Sequence, residues 1–386
     1  MTNQFDFDTV IDRRNTSSTK WEKFGPEVLP FWVADMDFAA PPFILDALRQ
    51  RLDHPILGYT DRPQSLNDAF LGWLQHHYQW DIDPDWVVWI PGVVPALNLA
   101  TQTLAPPSQL IVPTPVYYPF LDLADHSGLD TRFVLMQVDT DPTRNSSDVP
   151  GGHWSMDTDA LREAAEGESS MLLICNPQNP TGRCYTEQEL AALAQIVAEH
   201  NVILVSDEIH SQVLLDPTVR HLPIAQAHPE ILSQTISVFA ATKTYNIPAM
   251  SCAAAVIPDP TLRQQFLDAR AGIVPSIGPL GLLASEVAFN DRSSYIEELL
   301  TYLRGNLARV AEVAGPRLAN IEATYLAWIN VSDLNLDDAE AYFAKYGIGI
   351  APSSLYGVDG YIRFNFGCPR ATLDAGLARL ATALNG

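Results

Sequence analysis

A lysine at the end of an apolar run is the first residue of this chain that asks for a chemical explanation. In "ISVFAATKTYN", residues 236–246, Lys243 follows Ile236, Val238, Phe239, Ala240 and Ala241. A bare ammonium is costly to bury, so a lysine aimed into a core needs a partner or a role. Asp207 poses the opposite question, because it closes the apolar run of "VILVSDEIH", where a lone carboxylate calls for a buried cation. In "LLICNPQNPTG", Asn176 and Asn179 each precede a proline whose ring keeps them out of the helical region, so the turn can hold the Asn176 amide in a fixed direction. "PGVVPAL", residues 91–97, sets Gly92 before a helix start with Pro95 in its first turn. Free N–H groups at such a start suit a phosphate, although a plain strand-to-helix turn reads the same way. Tyr117 and Tyr118 follow "QLIVPTP" and offer either rim aromatics or flat faces for a ring-shaped ligand.

An amine, a carboxylate wanting a cation, an oriented amide, a phosphate cup and an aromatic face together suit pyridoxal phosphate. That cofactor carries a phosphate, a flat ring, a phenolate oxygen and a pyridine nitrogen that works best protonated, and its aldehyde forms a Schiff base with lysine. Held as an imine, the Lys243 amine would not be a buried bare ammonium.

These residues have to be positioned by strands. Between residues 86 and 257, short apolar runs ("WVVWI", "QLIVPTP", "TRFVLM", "SMLLICN", "VILVSDEI", "TISVFAA", "CAAAVIP") alternate with helical patterns. The alternation predicts an α/β fold whose mostly parallel sheet is covered on both faces, with ligands collecting at the carboxyl ends of its strands. In the helix predicted over "TEQELAALAQIVAEH", Leu190, Leu193, Ile196 and Val197 share one face, with Glu187 and Glu189 near the N-terminus. After about residue 290 a long helix, the strand "TYLAWINV", a helix near 337–346, the strand "YIRFNFG" and a final helix from Ala371 predict a smaller α+β domain. The expected division is an irregular segment 1–45 that wraps the body and joins the small domain, a large domain 46–285 and a small domain 286–386.

The 386 residues are too many for one core. Apolar residues make up 47% and charged residues 18%, as in an ordinary globular enzyme. A net charge of −23 argues against nucleic acid and anionic lipid as partners. No apolar run is long enough for a membrane span, and no signal-like segment is evident. The scattered cysteines at 175, 184, 252 and 368 read as reduced thiols in a cytoplasmic protein, not as a zinc site or disulfide framework. His76 and His77 are adjacent and make a poor metal pair, and no metal is expected.

Nearly the whole chain resembles the fold-type I pyridoxal-phosphate enzymes of the aspartate aminotransferase superfamily, and within them the MalY/PatB-type cystathionine β-lyases. The resemblance is carried by "WVADMDF" (32–38), "GYT" (58–60), "PGVVPAL", "TPVYYPF" (114–120), "NPQNPTGR" (176–183), "SDEIHS" (206–211), "ATKTYN" (241–246), "ATYLAW" (323–328) and "IRFNFGCPR" (362–370). It implies a seven-stranded, mostly parallel sheet with a smaller C-terminal domain. It makes Lys243 the Schiff-base lysine and proton shuttle, Asp207 the partner of the pyridine nitrogen and Tyr117 the stacking aromatic, and counts these three as catalytic. Asn176 becomes the donor to the ring oxygen, and Gly92 and Val93 supply backbone amides to the phosphate. His210 and Thr242 join the cofactor site. Arg363 matches the clamp for the substrate carboxylate, with Val33 beside the substrate. Tyr59 matches a tyrosine that reaches cofactor and substrate in the neighbouring subunit, which implies a homodimer with shared sites.

Two departures stand out: Ala240 replaces a serine that usually serves the phosphate, and Gln178 stands where relatives often have histidine. Thr242 could compensate for the first. The implied reaction is α,β-elimination from L-cystathionine or an S-substituted cysteine to pyruvate, ammonia and a thiol. The rival readings are an aminotransferase of the same fold, a cofactor-binding regulatory protein with vestigial catalysis, and a plain structural protein.

Overall fold

A computed structural model describes residues 4–103, 108–139, 151–167, 169–200 and 202–386. Its large sheet has seven strands: β1 (Val87–Ile90), β2 (Ser108–Thr114), β3 (Asp130–Leu135), β4 (Ser169–Cys175), β5 (Val202–Asp207), β6 (Thr235–Phe239) and β7 (Ala253–Val256). Their order is β1-β7-β6-β5-β4-β2-β3, and β7 runs antiparallel to both of its neighbours while the other pairings are parallel.

The apolar runs become strands because alternate side chains feed two cores. Val88, Ile90, Leu110, Val112, Leu173 and Val238 join one cluster, while Trp89, Ile111, Leu172, Ile174 and Phe239 join the other. Helices α1 (Val93–Thr101), α2 (Tyr118–Ser127) and α3 (Glu187–Glu199) follow β1, β2 and β4. The start of α3 is fixed by a capping box. Thr186 Oγ1 accepts from the Glu189 amide at 3.2 Å, and Glu189 Oε2 accepts from the Thr186 amide at 2.8 Å.

The smaller C-terminal domain contains helix α4 (Tyr295–Ala314), strands β8 (Leu326–Asn330), β9 (Ala351–Pro352) and β10 (Tyr361–Asn365), and helix α5 (Arg370–Leu384). β10 lies between β8 and β9, antiparallel to both. The N-terminal segment attaches here, with Leu29–Pro30 paired in parallel to Ile348–Gly349. Residues 31–38 then run on as a strap. The Asn365 amide donates to Phe31 O at 2.8 Å, and Asn246 of the large domain binds the backbone of Met36 and Phe38. Among the described residues no helix is long and apolar enough to cross a membrane.

Candidate active site

The carboxyl ends of β1, β4, β5 and β6 and the segment after β2 open onto a cavity of about 270 Å³. Its wall includes Gly92, Val93, Tyr117, Asn179, Asp207, His210, Ala240, Thr242 and Lys243, with Ala34 of the strap.

Gly92 ends the β1 turn with φ 114° and ψ 165°, a conformation that side chains other than hydrogen rarely adopt. It caps α1, whose first-turn amides have no intrahelical acceptor and stand free for an anion. Tyr117 caps α2 and is half-buried, its ring edge-on to that of the exposed Tyr118 at 4.8 Å. Burial pushes the Tyr117 phenol above its ordinary range, and the neighbouring Tyr118 adds to this.

Asp207 is the last residue of β5 and is 2% exposed. Its Oδ1 accepts from the Ile209 amide at 3.0 Å, and the Cys175 thiol lies 4.0 Å from Oδ2. The sequence called for a buried cation here, but none of the described side chains makes an ion pair with Asp207. Burial accordingly pushes its carboxyl up to about 7, opposed by the Ile209 hydrogen bond, raised further by Glu208 and lowered by Lys243. A protonated ring nitrogen against Oδ2 would supply the cation.

Lys243 sits in a turn four residues beyond the end of β6. It is half-buried because it faces the cavity, and its Nζ donates to Ala34 O at 2.5 Å. Burial first, and then the Arg363 cation, lower its amine to about 8 against the pull of Asp35 and Asp207. His210 is buried on the same wall, with Nδ1 lacking a partner and its ring edge-on to Tyr325 at 6.1 Å. Burial, with the charges of Lys243 and Arg363, lowers the imidazole to about 3, so His210 is neutral.

The two asparagines before proline part company. Asn176 Oδ1 accepts from the Tyr185 amide at 3.0 Å, its Nδ2 is buried without a partner, and it stands behind the cavity wall. Asn179 lines the cavity, and its Oδ1 accepts from Arg363 Nη1 at 2.9 Å, which leaves its NH₂ end free. Of the two, Asn179 presents its side chain to the cavity, whereas Asn176, the residue picked out by the resemblance, does not line it. Gln178 replaces no chemistry in the cavity: it donates to Pro115 O and accepts from Thr181, bracing the turn.

Arg363, on β10, is 2% exposed and stands one layer behind the wall. Its Nη1 is on Asn179, its Nη2 donates to Trp32 O at 2.6 Å, its face lies 4.9 Å from the Tyr356 ring, and its Nε has no partner. It has no carboxylate partner among the described residues, so a ligand carboxylate can take that place. Val33 does not line the cavity, and its carbonyl instead accepts from Asn365 Nδ2 at 2.6 Å. Tyr59 is fully exposed and lies away from this chain's cavity. Sequence reasoning missed the Ala34 carbonyl, which meets both Lys243 and the Tyr325 hydroxyl, the latter at 3.1 Å. Only its place in "WVADMDF" could have pointed to it.

A buried anion and a buried cation without opposite charges, an orphaned imidazole nitrogen, a glycine-capped helix start and a cavity lysine fit pyridoxal phosphate and an amino acid. Known proteins agree with that arrangement. PatB of Bacillus subtilis, a cystathionine β-lyase, is 34% identical over 98% of this chain and 100% of its own length. Protein MalY of Escherichia coli is 31% identical over 98% of this chain and 99% of its own. The pyridoxal-phosphate-bound C–S lyase of Staphylococcus hominis superposes with a TM-score of 0.89 at 29% identity, covering 100% of this chain and 99% of that one. Residues 26–380 match the family model for aminotransferase class I and II, so strand ends, cavity and sequence alike place the chain in the aminotransferase class I and II family.

Proposed function

We propose that the protein is a pyridoxal-phosphate-dependent carbon–sulfur β-lyase acting on L-cystathionine or S-substituted L-cysteines. The observation that carries the reading is a pair of buried charges without ion-pair partners among the described residues: Asp207 on the wall of the cavity that holds Lys243, and Arg363 one layer behind it. The relatives' names supply the direction of the chemistry, since PatB is a cystathionine β-lyase and the Staphylococcus hominis protein a C–S lyase.

When bound, the cofactor links to an amine through its aldehyde and draws electron density away from the adjacent carbon. Gly92 and the α1 start, with Thr242, would hold its phosphate. Tyr117 would cover its ring, and Asn179 and His210 would face its ring oxygen. Asp207 would hold the proton on the ring nitrogen through Oδ2. Arg363 orients the substrate by its α-carboxylate, using Nε and the N–H bonds left over from Asn179 and Trp32. Lys243, with its amine lowered to about 8, is suited to remove the Cα proton at Nζ near neutral pH.

Tyr59 would serve a neighbouring subunit in a homodimer, a reading supported by its full exposure within one chain. Boundaries near residues 45 and 285 belong to the same proposal, supported by the pairing of Leu29–Pro30 with the small domain. So does a cytoplasmic location, supported by four buried free thiols.

Purified protein given L-cystathionine without a keto acid tests the reading. Equal amounts of pyruvate, ammonia and free thiol are expected. Fast amino transfer to 2-oxoglutarate with no thiol release would make it an aminotransferase instead.

A further inference from the structure

The residues before the strap, "DRRNTSSTKWE" (12–22), place two cations and an aromatic donor under it. Lys20 is completely buried, and its Nζ donates to Asp37 Oδ2 at 2.7 Å and to Asp35 O at 3.0 Å. Arg13 reaches Asp37 Oδ1 at 2.6 Å, Asp35 Oδ2 at 2.5 Å and Met36 O at 3.3 Å. Trp21 Nε1 donates to Asp37 Oδ1 at 2.8 Å. Two positive and two negative charges therefore cancel beneath a backbone that is gripped from above as well. The Asp37 amide donates to Gly367 O at 2.8 Å, and any Cβ on Gly367 would stand 2.7 Å from Met36 Cγ.

What the strap carries is the site. Ala34 O accepts from Lys243 Nζ at 2.5 Å, and Trp32 O accepts from Arg363 Nη2 at 2.6 Å. One carbonyl thus touches the amine assigned to the proton and another touches the carboxylate clamp. Neither carbonyl can hold its place unless the backbone between them does. A buried pair gives little net stability, because desolvation offsets much of its attraction, but here the same two cations also donate to the Asp35 and Met36 carbonyls and so tie the cluster to the strap backbone.

We propose that Lys20, Arg13 and Asp37 are positioning residues for the reaction. Their ion cluster locks Trp32–Phe38 and so sets where Lys243 and Arg363 stand. None of the three touches the cavity wall, and their effect passes through the Ala34 and Trp32 carbonyls. The proposal rests on the reading of Lys243 and Arg363 given above.

The test compares cofactor-loaded wild type with Lys20→Met. Hydrogen exchange of the Met36 and Asp37 amides, measured without substrate, should quicken by about tenfold or more as the lock is loosened. With L-cystathionine, kcat/KM should fall by about tenfold or more, chiefly through KM because Arg363 has lost its setting, while the cofactor's visible absorbance is kept. A lower melting temperature with kcat, KM and strap exchange unchanged would overturn the proposal, because the cluster would then serve stability alone. If Lys20→Met does not fold, Trp21→Phe removes one donor to Asp37 and keeps every charge. It should move exchange and KM the same way by about two- to fivefold, and unchanged values would overturn the proposal. The exchange readout needs no turnover, so a wild type inactive on cystathionine would sink the lyase reading and leave this test standing.

Discussion

At the strap, Lys20 and Arg13 face Asp35 and Asp37, two cations against two anions, at 2.5–2.7 Å. At the cavity, Asp207 at the end of β5 and Arg363 within β10 are each only 2% exposed, yet neither makes an ion pair with a described side chain. A chain able to neutralise one buried cluster completely has left the other two charges for something else to neutralise. Buried charge without a partner is expensive, so it persists where a ligand supplies the missing sign. A protonated ring nitrogen suits Asp207, and a substrate carboxylate suits Arg363.

Lys243→Ala should break the unpaired side of this comparison most severely. Turnover should fall by at least about a thousandfold, because both the cofactor link and the proton acceptor are lost. The visible absorbance of lysine-linked cofactor should disappear as well. Retained absorbance and activity would mean that another amine does this work.

Asp207→Asn keeps the shape and removes the charge. It should still take up cofactor but lose turnover by about a hundredfold or more, as expected when a buried group that stabilises charge is removed. A loss below about tenfold would make Asp207 structural. The cofactor-free protein adds a test by pH. Folding raises the Asp207 carboxyl from 3.8 to about 7, so between those values the folded state holds the proton more tightly than the unfolded state. Stability must therefore fall as pH rises through that window, by about 1.4 kcal/mol for each pH unit at most. Urea midpoints of wild type minus those of Asp207→Asn should show that slope between pH 4 and 7. Bound cofactor should flatten it, and a flat difference without cofactor would mean that Asp207 is not held protonated.

Arg363→Lys should act more modestly. The cation survives, but the fork that meets Asn179, Trp32 and a carboxylate together does not. KM should rise by about tenfold to a hundredfold with a smaller change in kcat. An unchanged KM would place the carboxylate clamp elsewhere.

The strand ends were legible because buried strands announce themselves as apolar runs, and a charge closing such a run is conspicuous. Asp207 and Lys243 were found in that way. Read from the sequence, the oriented amide belongs to Asn176, although Asn179 also precedes a proline within the same four residues. What separates them is Arg363, which lies 184 positions further on and takes the Asn179 oxygen. The strap was legible only as irregular backbone, because its contribution is made by carbonyls that every residue carries. Nothing in the residues around Lys20 marks it, and only folding brings it to Asp37, 17 positions further on. Tyr59 shows the opposite limit, since the resemblance gives it a role that one chain's geometry cannot reach.

Ala240→Ser should have the smallest effect and bears on how completely the chain supplies the phosphate end. Ala240 lies on the cavity wall with Gly92, Val93 and Thr242, so a hydroxyl there would face the same space. The helix start already offers backbone N–H groups, and Thr242 offers a hydroxyl, so the phosphate is not left without donors. A further hydrogen bond to a charged group is worth about 1.5–3 kcal/mol at best, and less where other donors already share the oxygens. Cofactor retention on dialysis should therefore tighten by no more than about tenfold, with kcat unchanged because the ring nitrogen and the lysine are untouched. If retention is unchanged, Thr242 and the α1 amides already satisfy the phosphate. The unpaired charges of this cavity would then be confined to the two ends occupied by the ring nitrogen and the substrate carboxylate.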